Sequence, residues 1–105
     1  MPSQKTSAIR WPAFGSTAVA LAHNGGQIVV RWGWQGNGAF LEMIELQVDR
    51  GDGKGFVPLA FDTTPDYTDT MPFPATPTKW TYQGIFRLND QRVGQWSDPV
   101  SDTVG

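Results

Sequence analysis

Residues 27–34 of the chain are Gln-Ile-Val-Val-Arg-Trp-Gly-Trp, and the residue types alternate along them in the manner typical of a β-strand. Large apolar side chains occupy the even positions, whereas Arg31 and Gly33 occupy odd positions. Because successive side chains of a β-strand point to opposite faces, the alternation predicts a strand with one buried face and one face in water. We expect Arg31 to face water. The positions expected in the core are Ile28, Val30, Trp32 and Trp34.

The pattern continues on both sides of this strand. The preceding His23-Asn24-Gly25-Gly26 is typical of a hairpin turn, because asparagine and glycine adopt positive φ at low cost. It would join the strand to a short first strand at residues 18–22. A turn at residues 35–38 follows, and then a strand at residues 40–49. The side chains of that strand expected in the core are Ile44, Leu46 and Val48.

Glycine and proline divide the rest of the chain into further short strands. A glycine-rich turn at residues 49–55 leads to a strand that contains Pro58. Proline cannot donate a hydrogen bond to a neighbouring strand, so we expect this strand at the edge of a sheet. The remaining strands are expected at residues 56–61, 67–69, 79–88 and 96–104, with a long turn at residues 89–94. One face of the strand from Lys79 should carry Trp80, Tyr82, Gly84, Phe86 and Leu88.

Seven short strands, frequent turn signals and no helical period predict an all-β fold in which two antiparallel sheets form a sandwich. The chain has 105 residues, which is the size of one domain. We expect the sandwich to span residues 16–105. Residues 1–15 contain Pro2 and Pro12 and few regular signals, so we expect a partly disordered N-terminal leader there.

The composition limits the possible partners. The net charge is -2 and the eight Lys and Arg residues are scattered, so no basic run is suited to nucleic acid. The chain has no cysteine, which excludes disulfides and thiolate metal sites. It lacks the apolar core of a signal peptide and any apolar stretch of membrane-spanning length, so we expect no membrane insertion. We expect a monomer that is either cytoplasmic or part of a longer exported protein.

Four short motifs occur in an order typical of one family. They are Val30-Arg31-Trp32, Trp80-Thr81-Tyr82, Asn89-Asp90 and the Trp-Ser-Asp-Pro-Val of residues 96–100. Together they resemble a fibronectin type III domain, and bacterial members in particular, over roughly residues 16–104. The resemblance implies a seven-stranded antiparallel immunoglobulin-like sandwich without enzymatic activity. It also implies a corner aromatic residue, which is either Trp80 or Tyr82.

The motifs that could support chemistry have simpler structural explanations. Arg50-Gly51-Asp52 is an adhesive tripeptide in integrin ligands, but it lies in a turn whose composition already favours Gly and Asp. Asp49 and Asp52 are too few oxygen ligands for a calcium loop, because apolar residues follow Gly55. The single histidine, His23, has no nucleophile motif beside it. We therefore expect no metal, no cofactor and no catalysis.

The strongest binding signal is a tryptophan among polar residues near a turn. In the fold that the resemblance implies, three loops meet at one pole. An exposed indole there could stack on a sugar or anchor a protein contact. The expected site residues are Trp34, Asn37, Asp90 and Arg92.

Two functions fit such a domain. The first is a non-catalytic interaction module that binds protein or carbohydrate through the loops of this pole. The alternative is a structural spacer in a larger bacterial surface, phage-tail or polysaccharide-processing assembly. The exposure of Trp34 separates them, because a recognition residue must be accessible and a spacer would cover it.

Overall fold

A computed structural model describes residues 17–105, so the leader expected at residues 1–15 lies outside the described residues. Within residues 17–105 the regular elements are all β-strands, and no helix is present that could cross a membrane. The eight strands are β1 Val19–His23, β2 Ile28–Trp32, β3 Met43–Asp49, β4 Val57–Asp62, β5 Tyr67–Asp69, β6 Thr78–Leu88, β7 Gln91–Val93 and β8 Val100–Val104.

The strands pair into two antiparallel sheets. The smaller sheet has the order β1-β2-β5, and the larger sheet has the order β4-β3-β6-β7 with β8 also paired to β6. The 11-residue β6 accommodates both partners, because β7 pairs with its C-terminal end and β8 with its N-terminal end. The prediction of an all-β fold in two antiparallel sheets is therefore confirmed.

Side chains from both sheets form one core, which gives the fold its sandwich-like character. The even positions of β2 are buried and Arg31 is exposed, as the alternation predicts. The expected face of β3 is also buried, because Ile44, Leu46 and Val48 are at most 1% exposed. From β6 the core receives Trp80, Tyr82 and Phe86.

The turn predicted at residues 89–94 begins at Asn89 as expected, but its predicted length is wrong. Asn89 and Asp90 alone make the turn, with φ of 53° and 63°, and β7 begins at Gln91. Two consecutive residues with positive φ match the twist of flanking strands, so the chain reverses in two residues and pairs again immediately.

The last predicted strand is shorter than expected and starts at Val100. Before β8, Ser97 contacts β6 in place of regular strand pairing. The Ser97 amide donates to the Gly84 carbonyl (2.7 Å), and the Ser97 hydroxyl accepts from the Gly84 amide (2.9 Å). Gly84 lets the backbone of β6 pack closely against the side chains of β3. A Cβ atom there would lie 2.9 Å from the Ile44 Cδ1 atom.

Strand β3 starts at Met43, three residues later than predicted, because Phe40 belongs to a turn in which its amide donates to the Asn37 carbonyl. Strand β4 lies at the edge of the larger sheet, as Pro58 indicates. Its register against β3 shifts between Leu46 and Gln47. An irregular edge with a proline is poorly suited to uncontrolled pairing with other chains.

Candidate functional site

Trp34 lies just beyond the end of β2 and is half-buried. Its ring is 4.7 Å from that of Trp32 in an edge arrangement and 6.1 Å from that of Phe86 in a stacked one. Its side chain also borders Gly38, where a Cβ atom would lie 3.3 Å from the Trp34 Cγ atom. These contacts place much of the indole against the core.

Asn37 shapes the loop that follows Trp34. Its amide donates to the Trp34 carbonyl (2.9 Å), and its side chain donates to the Gln35 carbonyl (3.2 Å). In the second contact a short polar side chain bonds to the backbone two residues earlier and so fixes the local loop conformation. Through these two hydrogen bonds Asn37 has a local structural role in the loop.

Asp90 lies in the β6–β7 turn and Arg92 in β7. Both contact residues on the outer face of the larger sheet, which is the face that points away from the core. The Asp90 carbonyl accepts a hydrogen bond from Arg87 Nη2 (2.7 Å). Arg92 lies opposite Arg87 in the strand register. Two of the four predicted site residues thus adjoin Arg87, a residue that the sequence did not single out.

Arg87 and Arg92 share one carboxylate, that of Glu45. Glu45 Oε1 accepts from Arg87 Nη1 (2.8 Å) and Arg92 Nε (3.0 Å), and Oε2 accepts from Arg92 Nη2 (2.8 Å). Like charges on directly opposite strand positions repel, and the carboxylate compensates for that repulsion. Although it belongs to the outer face, Glu45 is only 6% exposed because the two arginines cover it.

Glu45 remains ionised in this arrangement. The hydrogen bond from Arg92 lowers the pKa of the Glu45 carboxyl, burial opposes that effect, and the hydrogen bond from Arg87 lowers the pKa further. The net result is a pKa below the ordinary value for glutamate. The outer face therefore carries a fixed pattern of two cations around one anion at neutral pH.

Each arginine also stacks on an aromatic ring. The guanidinium carbon of Arg87 lies 5.2 Å from the ring centroid of Phe61, and that of Arg92 lies 5.0 Å from the ring centroid of Trp96. Such cation–π contacts hold the guanidinium groups in place. We call this set the arginine row; its members are Phe61, Arg87, Glu45, Arg92 and Trp96.

An open depression adjoins one end of the arginine row. It has a volume of about 380 Å³ and is lined by Met43, Phe61, Arg87 and Asp90. Phe61 is 61% exposed. The exposed carboxylate of Asp90 accepts no hydrogen bond from any residue within 17–105. The lining of the depression thus combines two apolar residues with one cationic and one anionic residue.

A second arginine–carboxylate group joins the two sheets. Asp69 of β5 accepts two hydrogen bonds from Arg50 (2.9 and 3.2 Å) and one from the Tyr82 hydroxyl (2.6 Å). The guanidinium carbon of Arg50 lies 4.4 Å from the Trp80 ring centroid. We call this set the inter-sheet clamp; its members are Arg50, Asp69, Trp80 and Tyr82. Both candidates for the corner aromatic residue belong to it.

The clamp gives the Arg50-Gly51-Asp52 tripeptide a structural role. The Arg50 side chain is paired with Asp69 and only 16% exposed. Gly51 has a φ of 73°, and a Cβ atom there would lie 2.9 Å from the Lys79 carbonyl oxygen. The arginine is bound within the fold and the glycine is required by the backbone, so both residues have a structural role in the turn.

The clamp also keeps its acid ionised. Burial raises the pKa of the Asp69 carboxyl, but hydrogen bonds from Arg50, Tyr82 and the Met71 amide more than offset this, and the pKa lies below its ordinary value. Burial and the neighbouring Asp69 raise the pKa of the Tyr82 hydroxyl, so that group stays protonated and donates.

Within residues 17–105 no group of three or more His, Cys, Asp or Glu side chains is arranged to hold a metal ion. His23 is hydrogen-bonded to the Asp102 carboxylate, and its ring meets the edge of Phe73 at a centroid distance of 6.2 Å. His23 of β1 is thus paired with Asp102 of β8 at the protein surface.

Comparison with known proteins adds no assignment, because no family model and no curated protein matches the chain.

Proposed function

We propose that the chain is a non-catalytic interaction module of the fibronectin type III kind, and that it binds a partner through the outer face of the larger sheet. The strand arrangement supports this family. If β7 and β8 are counted as one interrupted strand, the strands number seven, divided between two sheets, as the resemblance implies.

The observation that supports binding most strongly is that Phe61 is exposed and also belongs to the arginine row and lines the depression, whereas the equally exposed Phe40 does not line it. An aromatic side chain that is 61% exposed is unfavourable in water. Here it stands beside a rigid group of paired charges, and aromatic and arginine residues are the side chains that dominate binding energy at interfaces. A face of this composition is better suited to recognition than to a purely structural role.

The chemistry of the depression favours binding over catalysis. Its lining residues include one acid, Asp90, and one base, Arg87. General acid–base catalysis needs a proton donor and acceptor of suitable pKa facing the same reacting group. Arginine does not release its proton in proteins, so this pair can hold a ligand and supplies no catalytic proton transfer.

The proposed surface retains half of the site expected from the sequence. Asp90 and Arg92 belong to it, whereas Trp34 and Asn37 have structural contacts in the β2–β3 loop. We assign Trp34 chiefly to the stability of the fold.

A spacer is the second candidate. Two observations favour it, the half-buried Trp34 that packs on Trp32 and Phe86 and the inter-sheet clamp. Three hydrogen bonds to Asp69 from the larger sheet and the segment next to it stiffen the sandwich, which would suit a domain that sets distance. A spacer, however, needs no exposed aromatic residue on its outer face.

The two candidates are separated by capture from the source cells with three immobilised forms of the full chain: wild type, Phe61→Ala and Phe40→Ala. Phe40 is a matched control, because it is 62% exposed and does not line the depression. Bound protein and bound carbohydrate are both quantified. The module predicts a species that wild type and Phe40→Ala retain and Phe61→Ala loses. Identical eluates from all three forms would support the spacer.

A further inference from the structure

We propose that the depression beside the arginine row is a subsite for a neutral saccharide, with a pyranose ring packed on Phe61. The inference rests on the proposed function and specifies its ligand. The size of the depression suits a small ligand. At about 380 Å³ it lies near the lower end of the roughly 300–1,000 Å³ typical of small-molecule sites. One or two sugar rings are ligands of that scale.

The floor of the depression suits the apolar face of a sugar. Phe61 offers an exposed ring and Met43 a half-buried thioether. The axial C–H bonds on one side of a pyranose carry slight positive charge, and the face of an aromatic ring carries negative charge. The two surfaces therefore attract each other while both lose contact with water.

The wall of the depression offers hydrogen bonds of both kinds. The Asp90 carboxylate accepts no bond from the described residues, so it can accept from one or two sugar hydroxyls. Arg87 has five N–H groups, of which two are used by Glu45 and the Asp90 carbonyl. The others can donate. Because a hydroxyl both donates and accepts, adjacent hydroxyls on one sugar can use both groups, and such bonds to ionised partners are strong.

The charge balance favours a neutral ligand. An anionic ligand would be repelled by Asp90, and a cationic one by Arg87. Glu45 offsets part of the charge of Arg87, since the carboxylate lies 2.8 Å from its guanidinium. Acidic and basic peptides therefore fit the depression less well than an uncharged polyol does.

The polar wall is already ordered without a ligand. Arg87 is fixed by Glu45, by the Asp90 carbonyl and by the Phe61 ring. A long side chain normally loses conformational entropy when it binds, and that loss is largely avoided here. The site therefore needs little rearrangement to receive a sugar.

The test is an NMR titration of the full chain, labelled in amide nitrogens and methionine methyls, with cellobiose, maltose, lactose and laminaribiose as separate probes. We expect at least one disaccharide to cause saturable shifts of the Met43 methyl and the Asp90 amide. Phe61→Ala should weaken that binding at least about tenfold, as loss of an anchoring aromatic does. Phe61→Tyr should retain it, and Phe40→Ala should leave it unchanged.

Asp90→Asn keeps the size of the side chain and removes its charge, so we expect several-fold weaker binding. The thermal midpoint of every variant is recorded to show that it is folded. Absence of saturable shifts at Met43 with all four probes, or binding that Phe61→Ala leaves intact, would overturn the saccharide inference. If the capture experiment then yields a protein that depends on Phe61, the module survives and only its ligand class is wrong.

Discussion

The inter-sheet clamp and the arginine row use the same chemical groups for different purposes. Each joins arginine to a carboxylate and stacks it on an aromatic ring. In the clamp, the Asp69 side chain is 3% exposed and belongs to a different sheet from Tyr82. In the row, every strand-borne member belongs to the larger sheet, and Phe61 is 61% exposed. Bridging two sheets makes the group structural, whereas exposure on one sheet leaves it available to a partner.

The largest effect that this comparison predicts is from Asp69→Ala. The change leaves the Arg50 charge and the Tyr82 hydroxyl without their partner, and breaking a buried pair of this kind costs about 3 kcal/mol. Urea denaturation at neutral pH measures the loss. Asp52→Ala is the control. Asp52 is exposed in the turn that carries Arg50, so its loss should change stability by less than about 0.5 kcal/mol. Equal stability of the two variants would contradict the structural role of the clamp.

Acid unfolding sharpens the contrast. The pKa of Asp69 is lowered in the fold, so its contribution to stability is present above the unfolded value of about 3.9 and is lost as the pH falls through the folded pKa. Wild type should lose stability below about pH 4. That loss should shrink in Asp69→Asn, whose side chain cannot ionise. An unchanged acid profile would mean that Asp69 is not the controlling acid.

The next effect concerns Trp34, which belongs to neither group and packs on Trp32 and Phe86. Trp34→Ala should lower the free energy of unfolding by about 2 kcal/mol, which is less than for a fully buried tryptophan because the ring is half-buried. Thermal and urea unfolding both report it. A variant as stable as wild type would return Trp34 to the candidate binding surface and weaken its assignment to the core.

The arginine row should contribute less to stability than the clamp. Glu45→Gln leaves Arg87 and Arg92 opposite each other without an anion, and we expect a loss of about 1 kcal/mol because both guanidinium groups reach solvent. The loss should decrease at high salt, which screens the repulsion. A loss as large as that of Asp69→Ala would show that the row, too, is a main structural support.

The sequence predicted the core well, because a buried face repeats every second residue and needs no knowledge of the partner strand. Ile28, Val30 and Trp32 follow that rule. The two-residue turn at Asn89 and Asp90 was missed because positive φ in both residues is uncommon without glycine.

The arginine row could not be predicted in the same way. Glu45, Phe61 and Arg87 come from three strands, and they meet only through the register of β3 with β4 and β6. The sequence contains no direct record of that register. The sequence did contain a signal for the outer face. Glu45 and Arg87 alternate with the apolar residues of their strands, so both are expected on the face that points away from the core.

We propose that the inter-sheet clamp supports the fold, while the outer face of the larger sheet recognises a ligand. The most direct test measures stability and disaccharide affinity together in Tyr82→Phe and Phe61→Ala. Tyr82→Phe removes only the hydroxyl that donates to Asp69, so it should cost about 1–2 kcal/mol of stability and leave affinity unchanged. Phe61→Ala should change stability by less than about 0.5 kcal/mol and weaken binding at least about tenfold. If the two properties fall together in both variants, the division between the two regions is wrong.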